Sequence, residues 1–325
     1  MMEWRNEATT SSGEAAPQAL FGWPGAVAGA PRARIEVLGV PSDCGKALFG
    51  WPGAVAGAPR ARIEVLGVPS DCGNGASSGA RFGPEAIRRA SQGLRPEVTG
   101  VDRGDVEGVH GHDWADVLDR TEQEIGRIVE AGAVPIVLGG DHSISYAAVA
   151  ALRCHPTLNI VWFDAHTDFC AWSGGRWHDH KQVLRRIAGM GHVGRILQVG
   201  HRGITYFDES ARSDKMTVLS ATAARSAPLE SVLATLPEGE PVYISIDVDA
   251  IDPRLAPGTG HPVPGGVRGE LIEQMARFIA SRRRVVGLDV MEVNPLLDHR
   301  DTTSALAARL LAGIAPHLAP FPPSE

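Results

Sequence analysis

The chain has 325 residues, 43% of them hydrophobic, and a formal net charge of -7. That length and apolar content suffice for a large buried core and fit one α/β domain of about 300 residues. The acid excess argues against a nucleic-acid partner, since the one basic cluster, Arg282-Arg283-Arg284, reads as the favourable end of a helix.

In chain order, residues 1–18 are polar and rich in small side chains, with no basic start leading into an apolar core and no membrane-length run. A protein that is neither exported nor partnered with a membrane is expected. Four cysteines form no Cys-x-x-Cys pair, so neither a disulfide framework nor a zinc–thiolate site is predicted, a reducing cytoplasm fits best, and Cys170 reads as buried filler. Residues 19–45 recur as 47–73 without a substitution. Two identical units with no third do not make a solenoid; the copy points to a recent duplication or an error in the deduced sequence. Each copy carries one strand candidate, 34–40 and 62–68, and a single strand position is open to them. The second copy leads directly into Gly79-Ala80-Arg81-Phe82-Gly83-Pro84, so it is the predicted occupant. Residues 1–61 are therefore expected to be a poorly ordered N-terminal extension holding the first copy, and residues 62–325 the functional domain.

Further strands are predicted at 134–138, 158–163, 195–199, 216–219, 241–246 and 285–290, separated by helical stretches. Asp113 is expected to cap a helix running to residue 129, with Glu122 and Glu124 on its wet side, and the last helix covers roughly 303–314. This alternation implies an α/β fold with a mostly parallel sheet covered on both faces. Ligands of such sheets collect at the carboxyl ends of the strands.

Three acidic runs lie at those ends: Gly139-Gly140-Asp141-His142-Ser143, Asp164-Ala165-His166-Thr167-Asp168 and Asp247-Val248-Asp249-Ala250-Ile251-Asp252-Pro253. Taken singly, such an acid is a helix cap or a turn former, which is how Asp141 and Asp252 read here. Together, His142, Asp164, His166, Asp168, Asp247 and Asp249 make a six-ligand set. Alternation along an extended chain would turn Asp164, His166 and Asp168 to one face, and Asp247 with Asp249. Four carboxylates crowded in a partly buried place require cations. With two imidazoles and no thiolate, the set suits two Mn2+ ions better than zinc.

These motifs, with Met291-Glu292-Val293-Asn294-Pro295 and the Gly79 to Pro84 loop, resemble the ureohydrolases, the arginase and agmatinase family, in order and spacing from about residue 62 to 311. The style of the motifs is nearest to the agmatinases. The resemblance implies a three-layer αβα sandwich with a mostly parallel sheet of about eight strands. It implies that Asp164 and Asp247 bridge two Mn2+ ions, that His142 and Asp168 complete one site, and that His166 and Asp249 complete the other. A shared hydroxide between the ions would attack a guanidinium carbon held by Glu292, and His180 would hand a proton to the leaving amine, with His178 as runner-up. Catalytic residues would then be His180, Glu292 and Asp168. Substrate-binding residues would be His261, Glu292 and Arg176.

Two departures stand out. Lys181 occupies a family glycine position, and His261 stands where Thr is usual in Gly258-Thr259-Gly260-His261-Pro262. The expected activity is hydrolysis of an agmatine-like guanidino compound to urea and an amine. The alternatives are an arginase, a guanidino acid hydrolase, or a non-catalytic member acting as a subunit or regulator. A homotrimer or homohexamer is implied.

Overall fold

A computed structural model describes residues 47–54, 62–74, 77–109, 113–170, 179–202 and 214–318. The strand candidate of the first copy, 34–40, lies outside the described residues. Eight strands, β1 (Ile63–Val68), β2 (Val101–Asp105), β3 (Val134–Gly139), β4 (Leu158–Phe163), β5 (Val193–His201), β6 (Met216–Ser220), β7 (Val242–Asp247) and β8 (Val285–Met291), form one sheet in the order β2-β1-β3-β8-β7-β4-β5-β6. Every neighbouring pair is parallel.

Two apolar clusters flank this sheet, because alternate side chains of each strand enter opposite layers. Val161 and Phe163 of β4 join one, and Ile160 and Trp162 the other. The first layer is built from α1 (Gly83–Ala90), α5 (Ala221–Ala224), α6 (Leu229–Leu233), α7 (Gly269–Ala280) and α8 (Thr302–Ile314). The second comes from α2 (Trp114–Glu130), α3 (Ser145–Ala150) and α4 (Val183–Ala188). The three-layer sandwich expected from the sequence is therefore the observed architecture. Among the described residues no helix is long and apolar enough to cross a membrane.

Three local expectations need correction. The strand β2 was not predicted, because Val101-Asp102-Arg103-Gly104-Asp105 has no apolar run. It forms at the sheet edge, where polar residues are tolerated and ion pairs anchor it: Arg88 meets Asp102 at 2.8 Å, and Arg103 meets Glu64 of β1. The packed domain also begins upstream of residue 62. Leu48, Phe49 and Trp51, in the lead of the second copy, are buried in the first cluster, and Leu48 N–H donates to Asp102 at 2.7 Å. Finally, Asp113 stands at the N-cap of α2, but its side chain makes no capping hydrogen bond.

Candidate metal centre

The four central strands, β3, β8, β7 and β4, are adjacent, so the segments leaving their carboxyl ends converge. After β3, Gly139-Gly140 turns the chain sharply; a Cβ on Gly140 would lie 1.7 Å from the Ser70 carbonyl oxygen, so that position needs glycine. Asp141 then caps a short 3-10 turn, His142–Ile144, by accepting from Ser143 N–H at 2.9 Å, and it also accepts Gly73 N–H at 3.0 Å. Asp141 is thus structural, as its sequence context suggested. Its turn sets His142 facing β7 and β4.

His142 Nδ1 lies 3.1 Å from Asp247 Oδ2, 3.2 Å from Asp164 Oδ2 and 3.6 Å from Asp168 Oδ2. His166 Nδ1 lies 2.8 Å from Asp249 Oδ2 and 3.6 Å from Asp164 Oδ1. Two candidate ligand groups result, His142 with Asp164 and Asp168, and Asp164 with His166 and Asp249, each with donor atoms within 4.8 Å of one another. Asp164 is common to both. The six residues therefore come together, yet not by strand alternation. Asp168 has a left-handed backbone (φ 48), while Asp249 sits in a 3-10 turn whose N–H donates to Asp247 Oδ1 at 2.7 Å. Local capping and a tight bend aim these acids.

The electrostatics show a group short of positive charge. Burial, and then the charge of Asp249 and Asp164, pushes Asp247 up to about 8. Burial with the Asp164 charge likewise raises Asp168 and Asp249. Burial disfavours charge on His166, but hydrogen bonds and charges from Asp164 and Asp249 lift it to about 12. His142 is raised well above its ordinary value by Asp164 and Asp247 against the same burial. Asp164, although buried, is held below the usual carboxylate range by its hydrogen bonds and charge contacts with both imidazoles. Protons on two Nδ1 atoms thus hold together four acids. Four carboxylates and two imidazoles are the donors that two oxygen-preferring divalent ions would take, so the residues fit a metal pair.

Behind the ligands lies a shell that sequence reasoning missed. Trp162 of β4 stacks on His142 with ring centroids 4.0 Å apart and an interplanar angle of 4°, and its Nε1–H donates to Asp164 Oδ2 at 2.9 Å. His142 Nε2 is 2.8 Å from Ser245 Oγ, which donates to Asp289 Oδ1 at 2.6 Å. Since the Ser245 hydroxyl proton is committed to Asp289, Nε2 also carries a proton, and Nδ1 is the atom that would bind a metal once it gives up its own proton. Asp289 Oδ2 also accepts from Tyr243 at 2.6 Å and Ser145 at 2.7 Å. In sequence, an acid inside an apolar strand was the available signal.

Glu292, one residue past β8, is buried beside this group with a left-handed backbone (φ 62). His142 N–H donates to its Oε1 at 3.0 Å and Asn74 Nδ2 to its Oε2 at 3.1 Å. Burial, with the charges of Asp247 and Asp141, raises Glu292 well above the ordinary value. A cavity of about 130 Å³ opens here, lined by Asp168, Asp247, Asp249, Glu292, His180 and His261 among others. His180 Nδ1 lies 2.8 Å from the Gly73 carbonyl oxygen, which can only accept, so Nδ1 holds the proton and Nε2 is the atom left for exchange. The rings of His180 and His261 are 5.0 Å apart. Burial, and then the neighbouring His180, His166 and Lys181, lowers His261 to about 4. Cys170 is half-buried and lines the same cavity. Arg176 and His178 lie outside the described residues.

Comparison with known proteins agrees with this geometry. The arginase-family sequence profile matches residues 61–315. The agmatinase of Bacillus anthracis is 33% identical over 246 residues, covering 72% of this chain and 83% of the relative. A solved structure of proclavaminate amidinohydrolase from Streptomyces clavuligerus superposes with a TM-score of 0.75 at 30% identity, over 84% of this chain and 96% of the other. The agmatine ureohydrolase of Thermoplasma volcanium gives a TM-score of 0.70 at 29% identity, over 84% and 94%. This chain belongs to the arginase family.

Proposed function

We propose that the protein is a manganese-dependent amidinohydrolase that converts a linear guanidino compound to urea and an amine. The observation that carries this reading is the convergence of four buried carboxylates and two imidazoles beside a cavity that Glu292 also lines. Asp164, Asp247, His142 and Asp168 would hold one ion, and Asp164, Asp247, His166 and Asp249 the other. The metal pair, when bound, supplies Lewis acidity and a water acidic enough to ionise near neutral pH.

Glu292 then meets the guanidinium. Its two oxygens are already fixed by His142 N–H and Asn74 Nδ2, so the carboxylate plane is set before substrate arrives and its remaining lone pairs accept guanidinium N–H groups. Addition of water to the central carbon followed by cleavage of the bond to the alkyl-bearing nitrogen requires that nitrogen to gain a proton. His180 Nε2 offers an exchange position in the cavity, while Nδ1 stays anchored to Gly73. The naming of relatives as agmatinases, together with the motif style, supports a linear guanidino compound as the substrate class; agmatine, a guanidino acid and arginine are its candidate members. A cytoplasmic homotrimer or homohexamer accompanies this reading by family resemblance.

The test is urea release after chelation and dialysis, followed by readdition of Mn2+. We expect activity on at least one guanidino compound to vanish with the metal and return with about two Mn per chain. A single bound zinc, or urea release by metal-free protein, would refute the reading. A protein that binds two Mn and releases no urea from any guanidine would favour the non-catalytic alternative.

A further inference from the structure

The cavity is bipolar. Its inner end is acidic, with Asp168, Asp247, Asp249 and Glu292 all between 2% and 7% exposed. Its outer end carries a cation, the exposed Lys181. Lys181 is held at this mouth by its backbone. Its N–H donates to Asp179 Oδ1 at 3.0 Å, and its carbonyl accepts Cys170 N–H at 2.9 Å. Asp179, the acid next to it in sequence, is committed elsewhere: it caps this turn and lies 3.1 Å from His180 Nδ1. Among the described residues no ion pair neutralises the Lys181 ammonium.

A guanidinium drawn to the acids at the inner end places the far end of its alkyl chain toward this cation. We propose that the preferred substrate is a guanidino compound ending in a carboxylate, and that Lys181 is the residue that selects it, an inference that rests on the guanidino-hydrolase reading above. An ammonium tail such as agmatine's would meet a like charge at the same place. Because Lys181 is exposed, the attraction is that of a solvated pair, worth a few-fold and screened by salt.

Three compounds of similar length isolate the tail: 4-guanidinobutanoate, butylguanidine and agmatine. With the Mn-loaded wild type, kcat/KM should fall in that order, by roughly five- to tenfold between the two charged ends. The spread should narrow as salt is raised from 20 to 500 mM. Lys181→Met should collapse it and Lys181→Glu should invert it, both with wild-type manganese content. Calorimetric binding of the same compounds reads the tail preference without chemistry. If no compound releases urea while the acid-tailed one still binds tightest and Lys181→Glu reverses that order, the hydrolase reading fails and the tail assignment stands. Tighter binding or faster turnover of agmatine by the wild type, or an unchanged order in Lys181→Glu, overturns the assignment.

Discussion

Asp289 offers the sharpest test of how the fold prepares its candidate metal ligands. The residue is fully buried, and burial pushes its carboxyl up while the His142 charge and three hydroxyl donors pull it back. In Asp289→Ala, Tyr243, Ser145 and Ser245 all lose their acceptor. At about 1 kcal/mol or more for each buried hydroxyl left unpaired, the cost is about 3 kcal/mol or more, a large share of the ~5–15 kcal/mol that holds a typical domain. Asp289→Asn is gentler on the fold. It keeps the shape and one acceptor oxygen, but it removes the charge that fixes the Ser245 hydroxyl and, through it, the His142 tautomer.

Equilibrium urea denaturation of the metal-free protein and calorimetric Mn2+ titration separate these two effects. Asp289→Asn should weaken manganese binding ~10- to 100-fold, as loss of an outer-shell partner does. Tyr243→Phe, which touches Asp289 but lies off the Ser245–His142 path, should cost about 1 kcal/mol of stability and leave manganese affinity unchanged. Wild-type affinity in Asp289→Asn, or equal weakening in Tyr243→Phe, would show that the network only packs the core and does not orient His142.

Asp164→Ala should lose most bound manganese, since Asp164 belongs to both ligand groups, whereas Asp141→Ala should lower the thermal midpoint yet retain about two Mn per chain by elemental analysis. His180→Asn should cut turnover ~100-fold or more with metal content intact, and a larger loss in His178→Asn would move the proton-transfer role there. Deletion of residues 19–46 should leave manganese binding, urea release and thermal stability unaltered, because Leu48 to Trp51 of the second copy already fill the core position; loss of folding would make the first copy an integral part of the domain.

Much of the candidate site was legible because its candidate ligands fall in short runs directly after apolar strands. Seven of the eight strands are apolar runs that the sequence displays, and β2 escaped because its stability comes from partners on other elements, Arg88 and Glu64, that no local pattern displays. The candidate ligands converge, but for a different geometric cause from the one expected: a caps-and-turns arrangement aims Asp168 and Asp249, not an extended backbone. Asn74 was not legible at all. Its contact with Glu292 spans 218 positions, and a lone Asn in a Gly- and Ser-rich loop reads as turn chemistry. Tyr243 and Ser145 look like ordinary strand and helix residues until the fold sets them around one buried acid.

The motifs that look separate in sequence are one mechanical unit in the fold. Gly140 lacks a side chain so that the Ser70 carbonyl can pass within contact of it, and the Gly140 carbonyl in turn accepts Glu292 N–H at 2.9 Å. That bond secures Glu292 in a left-handed conformation that costs a non-glycine residue about 1–3 kcal/mol, while His142 N–H holds its carboxylate. Asp168 is strained in the same sense, and its carbonyl accepts the N–H groups of Leu184 at 3.1 Å and Arg185 at 3.3 Å in the first turn of α4. These two strained residues each join the acid cluster to elements beyond it. Relaxing either backbone would withdraw a carboxylate from the cavity and break a tie between strand ends, which is why the surrounding contacts, and not local preference, must set their conformation.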